Sequence, residues 1–175
     1  MGSGKTTIGN RLARKMGLKF YDCDHEIEMR TGATVNLIFD IEGEAGFRRR
    51  ESCMLQELTA REDVLVATGG GAVVSRKNRD LLRKRGLVVY LQTSVRQQLD
   101  RLGRDRTRPL LQTGNRERKL TELARDRNPL YEETADIVVQ IKNRNIDNTV
   151  NRIHQAISSY RRGGAEDSRS AGSKS

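Results

Sequence analysis

Two glycines, a lysine and three hydroxyl side chains stand within six residues near the start of the chain, in the run Gly2-Ser3-Gly4-Lys5-Thr6-Thr7. Those residue types at that spacing suit a cluster of anionic oxygens. Gly2 and Gly4 let backbone N–H groups curl round a phosphate without a Cβ in the way, with Ser3 and Thr7 in the same wrap. Lys5 supplies a point charge, and Thr6 offers a hydroxyl to Mg²⁺. A helix opening here brings its positive end to the same oxygens. The complete pattern, G-x-x-x-x-G-K-[ST] behind a buried strand, puts its first glycine ahead of Met1. We therefore expect the true start, with one strand, to lie upstream. A Gly-Ser linker before an amphipathic helix would give the same few residues, so the loop needs support from the rest of the chain.

Two carboxylates supply it. Asp22 and Asp24 end the short apolar run Phe20-Tyr21, at the strand edge where open α/β sheets bind ligands. Asp22 could hold Mg²⁺ through water, and Asp24 could orient or deprotonate a hydroxyl. A helix N-cap role for Asp24 explains the pair as well. Farther on, Gly69-Gly70-Gly71 follows the run Val64 to Thr68. Three glycines let backbone amides approach a ligand closely, and a turn needs only one or two. That strand lacks the terminal aspartate common in other phosphate-loop enzymes, which favours Asp22 as the metal's carboxylate.

The elements that must position these groups follow from periodicity. Ile8, Leu12 and Met16 recur at helical spacing and stop at Gly17. Phe20 to Asp22, Val64 to Thr68, Leu87 to Leu91 and Ile137 to Ile141 predict short parallel strands. Val95, Leu99 and Leu102 make one apolar stripe between them, and Val150, Ile153 and Ile157 make another. Such alternation predicts an α/β fold with a doubly wound parallel sheet. Residues 24–61 turn helical without a strand and predict an inserted lobe. Residues 103–116 carry charge, Gly and Pro without periodicity and predict a mobile lid. The Gly/Ser-rich stretch 161–175 predicts disorder.

Of 175 residues, 35% are hydrophobic and 32% charged, which bounds the chain to one soluble domain with no membrane span. Two cysteines without a CxxC pair fit a reducing cytosol. The net charge of +10 raises nucleic acid as a partner. Half of the excess lies in residues 101–119, where Arg101, Arg104, Arg106, Arg108, Arg116, Arg118 and Lys119 face only Asp105 and Glu117. With no Trp and 4% aromatics there is no stacking platform for single strands, so small anionic substrates explain the cluster better. His25 and His154 have no metal-like spacing.

Taken in order, these motifs resemble shikimate kinase over nearly all of residues 1–160. The family's features stand here as the phosphate loop, Asp22-Cys23-Asp24, Phe47-Arg48-Arg49-Arg50-Glu51, Gly69-Gly70-Gly71, Arg108-Pro109-Leu110-Leu111 and Arg127-Asn128-Pro129-Leu130-Tyr131. Gluconate and nucleoside-monophosphate kinases share the loop, lid and sheet but lack this full set. The resemblance implies transfer of the ATP γ-phosphate to the 3-hydroxyl of shikimate, on the route to chorismate and aromatic amino acids. It implies strand order 2-3-1-4-5, with the first strand outside this chain, and a cytoplasmic monomer that takes shikimate, ATP and Mg²⁺. It assigns Asp24, Arg48, Gly70 and Arg127, with Gly69 and Gly71 beside them, to shikimate. Lys5 and Arg108 go to the transferred phosphoryl group, and Arg101 to adenine. Two guanidinium groups suit the single carboxylate of shikimate. Glu51 is read as orienting Arg48.

Overall fold

Gly4 and Gly17 bracket the first helix, and both take left-handed backbone, with φ of 78° and 70°. Helix α1 spans Lys5–Met16 between them, and the Gly17 N–H closes its end on the Ala13 and Arg14 carbonyls. Strand β1 (Lys19–Asp22) leads directly into α2 (Cys23–Thr31). The Asp22 side chain accepts from the Asp24 N–H at 3.1 Å, so the residue that caps α2 is Asp22, and Asp24 lies inside the first turn. Helix α3 (Val35–Leu58) is capped by Thr34 and breaks its helical course at Gly43, where φ is 68°. The computed structural model describes residues 4–102, 116–141 and 145–171. Gly2, Ser3, Arg108 and lid residues 103–115 lie outside the described residues, as do the side chains of Arg101 and Arg116.

After α3 come β2 (Val64–Ala67), a 3-10 turn at Ala72–Val74, α4 (Arg76–Arg85), β3 (Val89–Gln92) and α5 (Val95–Leu102). Helix α6 (Arg116–Thr134), β4 (Ile137–Gln140) and α7 (Ile146–Ala171) complete the described chain. Strand β1 pairs in parallel with β2, and β3 in parallel with β4. These two pairs correspond to the outer neighbours in the order 2-3-1-4-5. Between β2 and β3 runs a cavity of about 750 Å³, walled by Val64 and Val66 on one side and Val89 and Leu91 on the other.

Two larger apolar cores lie beside the strand pairs, and a smaller one gathers Val95 and Leu99 on Leu120. Ile8 and Leu12 of α1 pack with Val139, Ile141, Val150, Ile153 and Ile157, and the ion pair Arg11–Asp147 at 2.6 Å ties α1 to α7 at its rim. The second core joins Cys23 and Ile27 of α2 to Ile38, Phe47, Met54, Leu55 and Leu58 of α3. It is built almost wholly from the inserted segment, which is why that helical lobe holds its shape beside the strands. Helix α7 continues to Ala171.

Candidate active site

Helix α1 presents Lys5 and Thr6 in its first turn, at the end where unpaired backbone N–H groups point outward. The Thr6 hydroxyl donates to Asp22 Oδ2 at 2.6 Å. The parallel register of β1 against β2 sets Asp22 level with Ala67, so the strand ends and the loop after β2 emerge at one edge. The glycine run follows there. Among the described residues, no group of three His, Cys, Asp or Glu side chains is placed to hold a metal ion. Thr6 and Asp22 form a smaller, oxygen-only pair.

Gly69 shows how tightly that loop is packed against acid. A Cβ on Gly69 would lie 2.5 Å from Glu51 Oε1 and 3.0 Å from Asp24 Oδ1, so only glycine fits between the two carboxylates. Glu51 is fully buried. Its Oε2 accepts from Arg48 Nη1 at 2.7 Å, while its Oε1 accepts no hydrogen bond among the described residues. Burial pushes the Glu51 carboxyl above its ordinary value, with Arg48 pulling the other way. Arg48 also reaches Glu44, with Nη2 at 3.1 Å. Burial disfavours its charge, but the Glu51 and Glu44 carboxylates outweigh that and its pKa is raised.

The far wall comes from α6. Arg127 Nη1 donates to the Gly70 carbonyl at 3.3 Å, and the Tyr131 hydroxyl donates to the same oxygen. Gly71 abuts Arg48 so closely that a Cβ would strike the guanidinium group. Lys5, Gly69, Gly70 and Arg127 all border the cavity that continues between β2 and β3. Asp24, Arg48, Gly69, Gly70, Gly71 and Arg127 thus gather around one loop, and Lys5 opens onto the same space. Cys23 is buried beneath them, its thiol pushed well up by burial and by Glu51, Asp24 and Asp22, which leaves it protonated and inert.

The arrangement can neutralise an anionic chain at Lys5 and hold a small carboxylate between two guanidinium groups, with an acid beside them. A family model described as shikimate kinase matches residues 1–158. The chain belongs to the shikimate kinase family. A shikimate kinase of Methylococcus capsulatus is 52% identical over 164 residues, covering 94% of this chain and 90% of that protein. Another, of Chromohalobacter salexigens, is 55% identical over 153 residues, covering 87% and 85%. Among solved structures, shikimate kinase from Acinetobacter baumannii in complex with shikimate superposes with a TM-score of 0.89 at 49% identity, over 91% of this chain and 89% of that one.

Three groups at this shikimate-kinase-like site were given no role by the motif reading. Glu44 stands four residues before Arg48, a helical spacing that signals an ion pair. Tyr131 stands four after Arg127, so both reach Gly70 from one face of α6. Tyr90, stacked on Tyr131 with ring centroids 4.8 Å apart, comes from β3 and carried no local signal.

Proposed function

We propose that this chain transfers the γ-phosphate of ATP to the 3-hydroxyl of shikimate. The observation that carries the reading is the convergence of Asp24, Arg48 and Arg127 on the Gly69–Gly71 loop, beside Lys5. In this reading Arg48 and Arg127 hold the shikimate carboxylate, Asp24 takes the proton of the attacking hydroxyl, and the glycine loop keeps backbone within reach. Lys5, with Gly2 to Thr7 around the phosphates, neutralises charge on the transferred group, and Arg108 does so from the lid. Arg101 lies against adenine.

Mg²⁺ fits the donor set, because Thr6 and Asp22 offer only hard oxygens, set 2.6 Å apart. When bound, the ion neutralises phosphate oxygens and aligns them for transfer. The domain comprises residues 1–160, with a substrate-binding insert at 24–61 and a lid at 103–116. We place the protein in the cytoplasm as a monomer, without nucleic-acid or membrane partners. Cys23 and Cys53 are both free thiols, and among the described residues no helix is long and apolar enough to cross a membrane.

The test is ATP consumption with shikimate, gluconate and AMP offered separately. We expect turnover with shikimate alone, requiring Mg²⁺, from a species that sediments at one-chain mass. Activity confined to gluconate or AMP would reject the assignment.

A further inference from the structure

The Gly70 carbonyl is tied to α6 twice. Arg127 and Tyr131 stand one helical turn apart and both donate to it. A peptide unit is planar and trans, so a carbonyl fixed toward α6 also fixes the direction of the Gly71 N–H in the same plane. Gly71 in turn packs against the Arg48 guanidinium. The Gly70–Gly71 peptide is therefore a strut between two arginines, held at one end by α6 and pressed at the other by α3.

We infer that Tyr131 is a positioning residue whose hydroxyl holds this strut and so sets the spacing of the Arg48 and Arg127 guanidinium groups for a carboxylate. Without the phenol, Arg127 alone would hold the Gly70 carbonyl while also meeting the ligand. Tyr131 relieves it of the first duty. The phenol is itself braced from the sheet: its ring stacks on Tyr90 with an interplanar angle of 23°, and the Tyr90 hydroxyl donates to Asn128 Oδ1 at 3.1 Å. Burial raises the Tyr131 pKa, which keeps the donor protonated. The inference rests on the reading of Arg48 and Arg127 as the carboxylate clamp.

Titration calorimetry of the intact protein with shikimate, shikimate methyl ester and MgATP tests it. Tyr131→Phe keeps the stacked ring and removes only the donor. Its shikimate Kd should rise about 5- to 30-fold, the range for a lost hydrogen bond to a part-buried carbonyl. MgATP affinity should stay as in the parent, the thermal midpoint should fall by no more than a few degrees, and the loss should vanish for the ester, which offers no carboxylate to clamp. Tyr160→Phe removes an exposed phenol elsewhere and should change none of these. Unchanged shikimate affinity in Tyr131→Phe overturns the inference. So does an equal loss for shikimate and ester, or a parallel loss of MgATP, each of which marks a general structural prop. A parent protein that ignores shikimate overturns the functional reading, and this inference with it, before any substitution is made.

Discussion

Arg48 Nη1 and Glu51 Oε2 lie 2.7 Å apart on successive turns of α3, the acid wholly buried and the base partly so. Burial dominates the acid's titration and raises its pKa from an ordinary 4.5. The folded state therefore holds the Glu51 proton more tightly than the unfolded chain. Its contribution to stability is full below pH 4.5 and is lost as pH rises through the folded value. Urea unfolding of the parent and of Glu51→Gln, compared from about pH 4 to 8, should show the parent's advantage shrinking upward from that range. The slope should reach at most about 1.4 kcal/mol per pH unit. Parallel curves, or an advantage that grows with pH, would refute the burial argument.

Gly71→Ala drives a methyl group into the Arg48 guanidinium. That side chain is pinned by Glu44 and Glu51, so it cannot swing away without breaking ion pairs. Shikimate affinity should fall by about tenfold or more, the cost of an overpacked contact. MgATP affinity should hold, since the change lies away from α1. Calorimetry with each ligand separates the two, and equal losses would contradict the prediction.

Asp22→Asn separates two duties of one side chain. Asparagine caps helices about as well as aspartate, so the thermal midpoint should move little. The charge, however, is gone from the oxygen that Thr6 meets at 2.6 Å. The Mg²⁺ concentration for half-maximal turnover should rise by about an order of magnitude. An unaltered Mg²⁺ requirement would remove Asp22 from the metal's coordination.

The two thiols should differ sharply. Cys53 is exposed on α3, whereas Cys23 is buried with its pKa pushed up among carboxylates. A thiol reagent at neutral pH should label one cysteine per folded chain and the second only in denaturant. Rapid double labelling of folded protein would show that the α2 environment opens readily.

Much of the site was legible because its parts sit at element ends, where residue type and spacing carry meaning. Gly4, Gly17 and the stripe Ile8, Leu12 announced α1 before any coordinates. Runs of β-branched residues located β2 and β4 to within a residue or two. What stayed hidden depends on long-range approach. Tyr90 meets Tyr131 across 41 positions of chain, and no local period reports a ring stack between a strand and a helix. The capping duty of Asp22 was misread as a possibility for Asp24, because an acid just before a helix and one in its first turn look alike until the first turn is drawn.

The ion pair between Arg11 and Asp147 joins α1 to α7 with both side chains about half exposed or more, so it contributes little and fades as salt is added. The apolar contact of Ile8 and Leu12 with Ile153 and Ile157 is indifferent to salt, so the two helices should stay docked at high ionic strength.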